Sequence, residues 1–135
     1  MTAGYSATPL AKKLGIKTNF KLYLLDAPKH YFKLFSDWPA HTEMIEKPTN
    51  ESVNFVHAFC KTTSDLNHAA TYIKVLKKDG LIWISWPKVS SNIQTDLKRD
   101  TIREFFLEAG LVDVKVAAID EDWSGLKFVY RLKDR

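Results

Sequence analysis

Polar and aromatic residues stand directly after several apolar segments of the sequence, at the points where β-strands are expected to end. If those strands are parallel, their carboxyl ends meet at one edge of the sheet, where ligands bind in open α/β folds. A short acidic turn near residue 121 would lie at the same edge. We call this edge the strand-end rim, and its candidate ligand-binding residues are Asp26, Glu46, Lys61, Trp86, Lys88, Ser90, Asp122 and Trp123.

Two acidic residues of the strand-end rim have a spacing typical of nucleotide-binding sheets. Glu46 lies 20 positions after Asp26, near the end of the second predicted strand, where a carboxylate can bind ribose hydroxyls. The favoured alternative for Glu46 is an exposed glutamate on an edge strand. Asp26 precedes a predicted helix, so capping of free N–H groups is the favoured alternative to ligand binding.

The remaining rim residues each have two interpretations. Lys88 can hold an anionic ligand as a point charge, or it is a solvated loop lysine. Ser90 is favoured as a cap of the following helix over a catalytic hydroxyl. Asp122 belongs to an acidic turn that could attract a cation, but adjacent turn residues diverge and a solvated hairpin tip is favoured. Trp123 can stack on a planar ligand or lie buried beneath the turn.

Nucleophiles and metal ligands do not form a familiar set in this sequence. Cys60 would be reactive if Lys61 lowered its pKa, but no histidine is expected beside it. The four histidines show no paired metal-ligand spacing, and His57, inside a strand, is expected to satisfy a hydrogen bond in the core or at an interface. The sequence therefore predicts no metal site and assigns no catalytic residue.

The turn after the first predicted strand bears on cofactor binding. Phosphate groups and the methionine tail of S-adenosylmethionine need close approach of the backbone, hence glycines in this turn. This sequence has Asp26-Ala27-Pro28 there, and proline also removes an N–H donor. The cofactor is therefore unassigned, and S-adenosylmethionine is disfavoured by the absence of a glycine-rich loop.

Apolar periodicity predicts the elements that position these residues. Strands are expected at 20–25, 42–47, 53–59 and 81–86, and helices at 8–15, 26–38, 64–76 and 94–109. The segment 42–47 suits an edge position, and the alternating segments 112–118 and 123–132 predict an antiparallel hairpin. The sequence thus predicts a single Rossmann-like α/β domain over residues 1–135. This domain is a three-layer α/β/α sandwich with a mostly parallel sheet and a C-terminal antiparallel hairpin.

Composition narrows the class of protein. The 135 residues include 20 basic and 16 acidic side chains, a net charge of +4 without a run of like charges, so nucleic acid is a disfavoured partner. A single cysteine, no secretory signal and no apolar stretch of about 20 residues predict a cytoplasmic protein without membrane association. The oligomeric state is open, because segment 112–118 would suit either an exposed sheet edge or pairing with another chain.

Two resemblances add to this interpretation. The order of strand, helix, strand, helix and hairpin over residues 53–132 resembles the C-terminal half of the class I S-adenosylmethionine-dependent methyltransferase fold. That resemblance implies that the last strand inserts antiparallel between the two strands before it. Four segments also resemble the small bacterial domain-of-unknown-function family 3052, which implies no catalytic residues because its activity is not established. These segments are 8–17, 86–88, 110–115 and 122–127.

Three functions are compatible with these features. The favoured one is a non-enzymatic, degenerate methyltransferase-like module that binds a small anionic ligand or a protein at the strand-end rim. The alternative is a diverged S-adenosylmethionine-dependent methyltransferase with an atypical cofactor loop. The third is a weak nucleic-acid binder, for which the lysines between residues 12 and 29 would be the contacts.

Overall fold

A six-stranded mixed sheet lies at the centre of the structure, a computed structural model that describes residues 8–135. The strand order is β2-β1-β3-β4-β6-β5. Strands β2, β1, β3 and β4 are parallel, and β6 pairs antiparallel with both β4 and β5. The predicted fold is confirmed, including the insertion of the last strand between its two predecessors. The strands are β1 Lys21–Leu25, β2 Glu43–Met44, β3 Val53–Phe59, β4 Leu76–Pro87, β5 Leu111–Ala118 and β6 Trp123–Tyr130.

Each face of the sheet has its own buried cluster. On one face, helix α2 (Thr63–Ala70) and helix α3 (Arg99–Glu108) bury Leu66, Ile102 and Phe106 against the sheet. On the other face, the short helix α1 (Leu10–Leu14) and the segment 27–38 cover a second cluster around Trp83. Strand alternation separates the two clusters, because successive side chains point to opposite faces.

The segment after β1 differs from the prediction. A helix was expected over 26–38, but the structure has a four-residue 3₁₀ helix, Tyr31–Leu34. Four aromatic rings in this segment pack on one another in edge-to-face or tilted arrangements, with centroids 4.9 to 5.4 Å apart. Aromatic residues are poor helix formers, so ring packing against the sheet determines this backbone. Its Asp37 carboxylate accepts hydrogen bonds from the N–H groups of Ala11 and Lys12, at 3.0 Å each, and so caps α1.

Two other helix boundaries also differ from the prediction. The helix expected over 64–76 ends at Ala70, and Leu76 already begins the twelve-residue strand β4. The helix expected from 94 begins at Arg99. The Thr95 hydroxyl donates to the carbonyl of Lys61 at 2.7 Å and accepts from the N–H of Leu97, which holds the preceding segment out of the helix. The N-cap of α3 is Lys98, so the capping role expected of Ser90 was wrong.

Strands β2 and β5 form the two edges of the sheet. The predicted edge position of the second strand is therefore confirmed. Segment 112–118 also lies at an edge, and its pairing with another chain stays an open prediction. Within residues 8–135, no helix is both long and apolar enough to cross a bilayer.

Helix α2 begins with a capping box that centres on Thr62, not on the expected Ser64. The Thr62 hydroxyl accepts from the N–H of Asp65 at 3.1 Å, and the Asp65 carboxylate accepts from the N–H groups of Lys61 and Thr62 at 2.8 and 3.2 Å. We expect Thr62→Ala to lower the free energy of unfolding by ~1 kcal/mol, because a helix N-terminal donor loses its partner. Urea titration measures this. Thr63→Ala, at the neighbouring exposed position, is the control, and equal costs for the two variants would contradict the capping role.

Candidate functional site: the strand-end rim

The carboxyl ends of the four parallel strands and the β5–β6 turn lie at one edge of the sheet. The register pairs Trp123 at the start of β6 with Pro87 at the end of β4. The N–H of Lys88 donates to the carbonyl of Asp122 at 2.8 Å, which joins the end of β4 to the hairpin turn. This topology brings the ends of the four parallel strands and the hairpin turn to the same side of the molecule.

Asp26 and Glu46 follow the adjacent strands β1 and β2, and both are exposed. Neither carboxylate has a hydrogen bond or an ion pair within residues 8–135. Asp26 has a left-handed backbone with φ of 56°, and the 3₁₀ helix beyond it begins only at Tyr31, so the expected capping role of Asp26 was wrong. Aspartate tolerates this left-handed conformation better than most residues do, and the exposed carboxylate remains accessible to a ligand.

The turn after β1 provides no amide cradle for an anionic group. It contains no glycine, and the carbonyl of Pro28 already accepts the N–H of Tyr31 at 3.0 Å. The Tyr31 side chain is buried beneath the segment. The amides after β3 are also used, because the Asp65 carboxylate accepts those of Lys61 and Thr62. The residues present thus fit the ribose and the ammonium group of S-adenosylmethionine through carboxylates, but not its carboxylate through backbone N–H groups.

His30 and Asp120 link the turn after β1 to the hairpin turn across the rim. His30 Nε2 lies 3.1 Å from Asp120 Oδ2, and the other oxygen of Asp120 accepts the N–H groups of Asp122 and Trp123 at 2.8 and 2.9 Å. Asp120 is thereby fixed by its own turn and holds the half-exposed imidazole of His30. The sequence analysis missed this pair, because the two residues are 90 positions apart and no local pattern relates them.

A buried polar chain runs beneath the rim. Tyr31 Oη lies 2.9 Å from His57 Nδ1, and His57 Nε2 lies 2.7 Å from Ser85 Oγ. Burial lowers the pKa of His57 to about 3 and raises the pKa of Tyr31, so both groups are neutral at physiological pH. The prediction that His57 satisfies a core hydrogen bond is confirmed. With all three residues buried, the chain attaches segment 27–38 to the sheet and does not contact solvent.

Cys60 and Lys61 separate at the end of β3. Cys60 is buried and Lys61 is exposed. Burial, and to a smaller extent the nearby carboxylates of Asp65 and Asp26, raise the pKa of the Cys60 thiol to about 12. The thiol is therefore protonated at neutral pH, and the idea that Lys61 activates it was wrong.

Both tryptophans assigned to the rim are core residues. Trp86 is buried on the face that carries α2 and α3, and Trp123 is buried on the opposite face. The ring of Trp123 packs edge to face on Phe59 with centroids 5.0 Å apart. Trp123 thus follows its alternative interpretation, burial beneath the turn, and the interpretation of Trp86 as a rim ligand was wrong.

Polar rim residues remain accessible around these buried rings. Ser90 and Asp122 are exposed and Lys88 is half-buried. Within residues 8–135, no group of three or more histidine, cysteine or acidic side chains could hold a metal ion.

A cleft lies at the end of the sheet opposite the strand-end rim, next to the amino end of β4. It is an open cleft of about 570 Å³ whose lining includes Asn50, Lys74, Lys78 and Tyr130. The Lys78 ammonium lies 4.6 Å from the centroid of the Tyr130 ring. This cleft contains none of the residues predicted for the strand-end rim.

The inserted antiparallel strand beside a parallel sheet defines a Rossmann-like, methyltransferase-like fold. A S-adenosylmethionine-dependent methyltransferase from Aquifex aeolicus superposes with a TM-score of 0.64 at 10% identity, over 87% of this chain and 85% of that one. The fibrillarin pre-rRNA processing protein of Methanococcus jannaschii gives a TM-score of 0.59 at 14% identity, over 93% and 70% of the two chains. A putative type 11 methyltransferase from Sulfolobus solfataricus gives 0.57 at 13% identity, over 90% and 89%. No family model and no curated protein matches the chain.

Proposed function

We propose that this chain is a diverged S-adenosylmethionine-dependent methyltransferase with an atypical cofactor loop. The observation that carries the proposal is that two exposed carboxylates, Asp26 and Glu46, have no ion pair within residues 8–135 and follow adjacent parallel strands of a methyltransferase-like sheet. In sheets of this kind, an acidic residue near the end of the second strand binds ribose hydroxyls. The structural similarity to known methyltransferases supports the fold, and the proposed binding of the cofactor rests on the residues of the rim.

The two carboxylates complement the positive and hydroxyl-bearing parts of the cofactor. Glu46 would accept hydrogen bonds from the ribose hydroxyls, and Asp26 would pair with the ammonium group of the methionine tail. When bound, S-adenosylmethionine supplies an electrophilic methyl group on a positively charged sulfur. Because the turn after β1 lacks an amide cradle, we expect binding to depend on these carboxylates more strongly than in proteins with a glycine-rich loop.

His30 is the rim group suited to accept a proton from a methyl acceptor. Its Nε2 is held by Asp120 at 3.1 Å, and its Nδ1 has no hydrogen-bond partner within residues 8–135. A carboxylate that orients one ring nitrogen leaves the other available for general base catalysis. His57 does not compete for this role, because it is buried and both its nitrogens are engaged.

Calorimetry with S-adenosylhomocysteine, the demethylated product, tests the proposal. We expect the protein to bind it, and Glu46→Gln or Asp26→Asn to weaken binding by roughly 10- to 100-fold, since a hydrogen bond to a charged group contributes ~1.5–3 kcal/mol. Asn tolerates the left-handed backbone that Asp26 adopts, so the second variant isolates the charge. Glu43→Gln changes the exposed glutamate within β2, three positions before Glu46; it is the control and should bind normally.

Two results would contradict the proposal. One is the absence of any binding by the unmodified protein at millimolar ligand. The other is binding that all three variants retain equally. A second candidate function is that of a non-enzymatic small-ligand or protein-binding module. The missing amide cradle favours this candidate, and an absence of S-adenosylhomocysteine binding by the unmodified protein would support it. Membership of the bacterial family that segments 8–17, 86–88, 110–115 and 122–127 resemble remains a prediction.

A further inference from the structure

Five lysines that are scattered through the sequence converge beside α1. The Lys13 ammonium donates to the carbonyl of Ala118 at the end of β5, at 3.0 Å. Lys115 on β5 is the cross-strand partner of Lys127 on β6. The Lys127 ammonium lies against Gly15, where an added Cβ would be 3.6 Å from it. With Lys17 after α1 and Lys88 after β4, these residues form what we call the lysine face.

Within the described part of the chain, residues 8–135, no ion pair neutralises the charges of the lysine face. The ion pairs of residues 8–135 are His30–Asp120, Arg99–Asp100 and Arg103–Asp113, and none includes a residue of this face. Burial and then the neighbouring Lys115 and Lys88 lower the pKa of Lys13. Burial and then Lys115 and Lys17 lower the pKa of Lys127. The folded chain therefore holds like charges close together, an arrangement that a bound polyanion would relieve.

The chemistry of the face favours phosphate groups over an acidic protein. Lysine binds phosphate as a point charge. Protein interfaces are instead built around an apolar core with aromatic anchors. Among residues 8–135 the exposed large aromatic side chain is Phe32, in the 3₁₀ helix after β1 and outside the elements that carry the five lysines. Within the described residues, the elements that carry the five lysines thus present no exposed aromatic side chain on which bases could stack.

From this convergence we infer that the lysine face binds the phosphate backbone of a nucleic acid without reading its bases. The face was not visible in the sequence, where the basic residues appear interspersed and the net charge is only +4. Residues from four separate parts of the chain create a local charge density that neither a run nor a total charge reveals. The inference does not depend on cofactor binding at the strand-end rim.

Fluorescence anisotropy with labelled 20-nucleotide RNA and DNA of mixed sequence, without cofactor, tests the inference. We expect both oligonucleotides to bind at 25 mM salt. The logarithm of the association constant should fall with the logarithm of the salt concentration at a slope of about −4, because each of five phosphate contacts contributes ~0.7–0.9 to the slope. The double variant Lys17→Gln/Lys115→Gln, which changes two exposed side chains, should flatten the slope by roughly 1.5–2 and weaken binding at 100 mM salt by about tenfold or more.

The matched control removes the same amount of positive charge from the cleft next to the amino end of β4. Lys74→Gln/Lys78→Gln changes two exposed lysines of the opposite cleft and should leave the slope unchanged. Equal losses in the two double variants would overturn the inference, because net charge alone would then explain binding. No binding at 25 mM salt would also overturn it. Tight binding of polyglutamate without binding of oligonucleotides would reassign the face to an acidic protein.

Discussion

Replacing Trp83 with alanine is expected to lower the free energy of unfolding by about 3–5 kcal/mol, the cost typical of removing a large buried aromatic side chain. Trp83 is fully buried at the centre of β4 and packs in the cluster beneath α1. Its indole N–H also donates to the carbonyl of Leu14 at 2.8 Å, which attaches α1 to the sheet. Gly125 on the neighbouring strand lies close under the ring, since an added Cβ would be 3.0 Å from Trp83 Cε3.

Trp83→Phe removes the hydrogen bond to Leu14 but only part of the side-chain volume. It retains an aromatic ring and leaves the Leu14 carbonyl without its partner, for which we expect a smaller cost of ~1–3 kcal/mol. Urea titration measures both variants, and hydrogen exchange at the N–H of Ile16, which donates to the Ala11 carbonyl, reports on the attachment of α1. Equal stability of Trp83→Ala and the unmodified protein would contradict the packing described for this face.

We also expect acidification to destabilise the protein through His57. The pKa of an unfolded histidine is about 6.5, whereas burial lowers that of His57 to about 3. As the pH falls below 6.5, the unfolded state takes up a proton that the folded state does not. The contribution of His57 to stability is therefore complete above about pH 7 and declines by about 1 kcal/mol per pH unit between pH 6.5 and pH 3.

A triple variant isolates this effect from that of the carboxylates. Tyr31→Phe/His57→Leu/Ser85→Ala removes the titrating group together with both its partners, so no buried donor or acceptor is left unsatisfied. Urea titration from pH 7 to pH 4 measures the unfolding free energy of both proteins. As the pH falls, the unmodified protein should lose more stability than the triple variant does. A pH-independent difference would show that His57 takes up its proton at the same pH in the folded and the unfolded protein, which would contradict a lowered pKa.

The parts of the fold that depend on local pattern could be predicted from the sequence. Alternation of Val112 to Ala118 and of Leu126 to Tyr130 predicts the hairpin, and the apolar segments predict β1, β3 and the core of β4. The segment 26–38 could not be predicted, because its aromatic rings pack on one another and on β3 instead of forming a helical face. The start of α3 could not be predicted either, since it depends on a tertiary bond from Thr95 to Lys61.

The candidate site likewise contains residues that the sequence could place and residues that it could not. Asp26 and Glu46 could be placed at one edge because parallel strands share the direction of their carboxyl ends. Trp86 could not be distinguished from a rim residue, since a residue at a strand end points to one face or the other according to a register that the sequence leaves open. His30 and Asp120, and the five lysines beside α1, are brought together only by the completed sheet.

The position of β6 between β4 and β5 has a consequence for the order of assembly. Helix α1 is synthesised long before the hairpin, yet its Lys13 bonds to Ala118, 105 positions later, and its end is fixed by Trp83, 69 positions after Leu14. Contacts of such separation form slowly, because the connecting loops must close first. Until β6 is made, the edge of β4 has no partner and is open to pairing with other chains. Helix α1 can therefore complete its contacts only after the end of β5 has been made, and a nascent chain interrupted before residue 123 would present an apolar strand edge to chaperones or to other copies of itself.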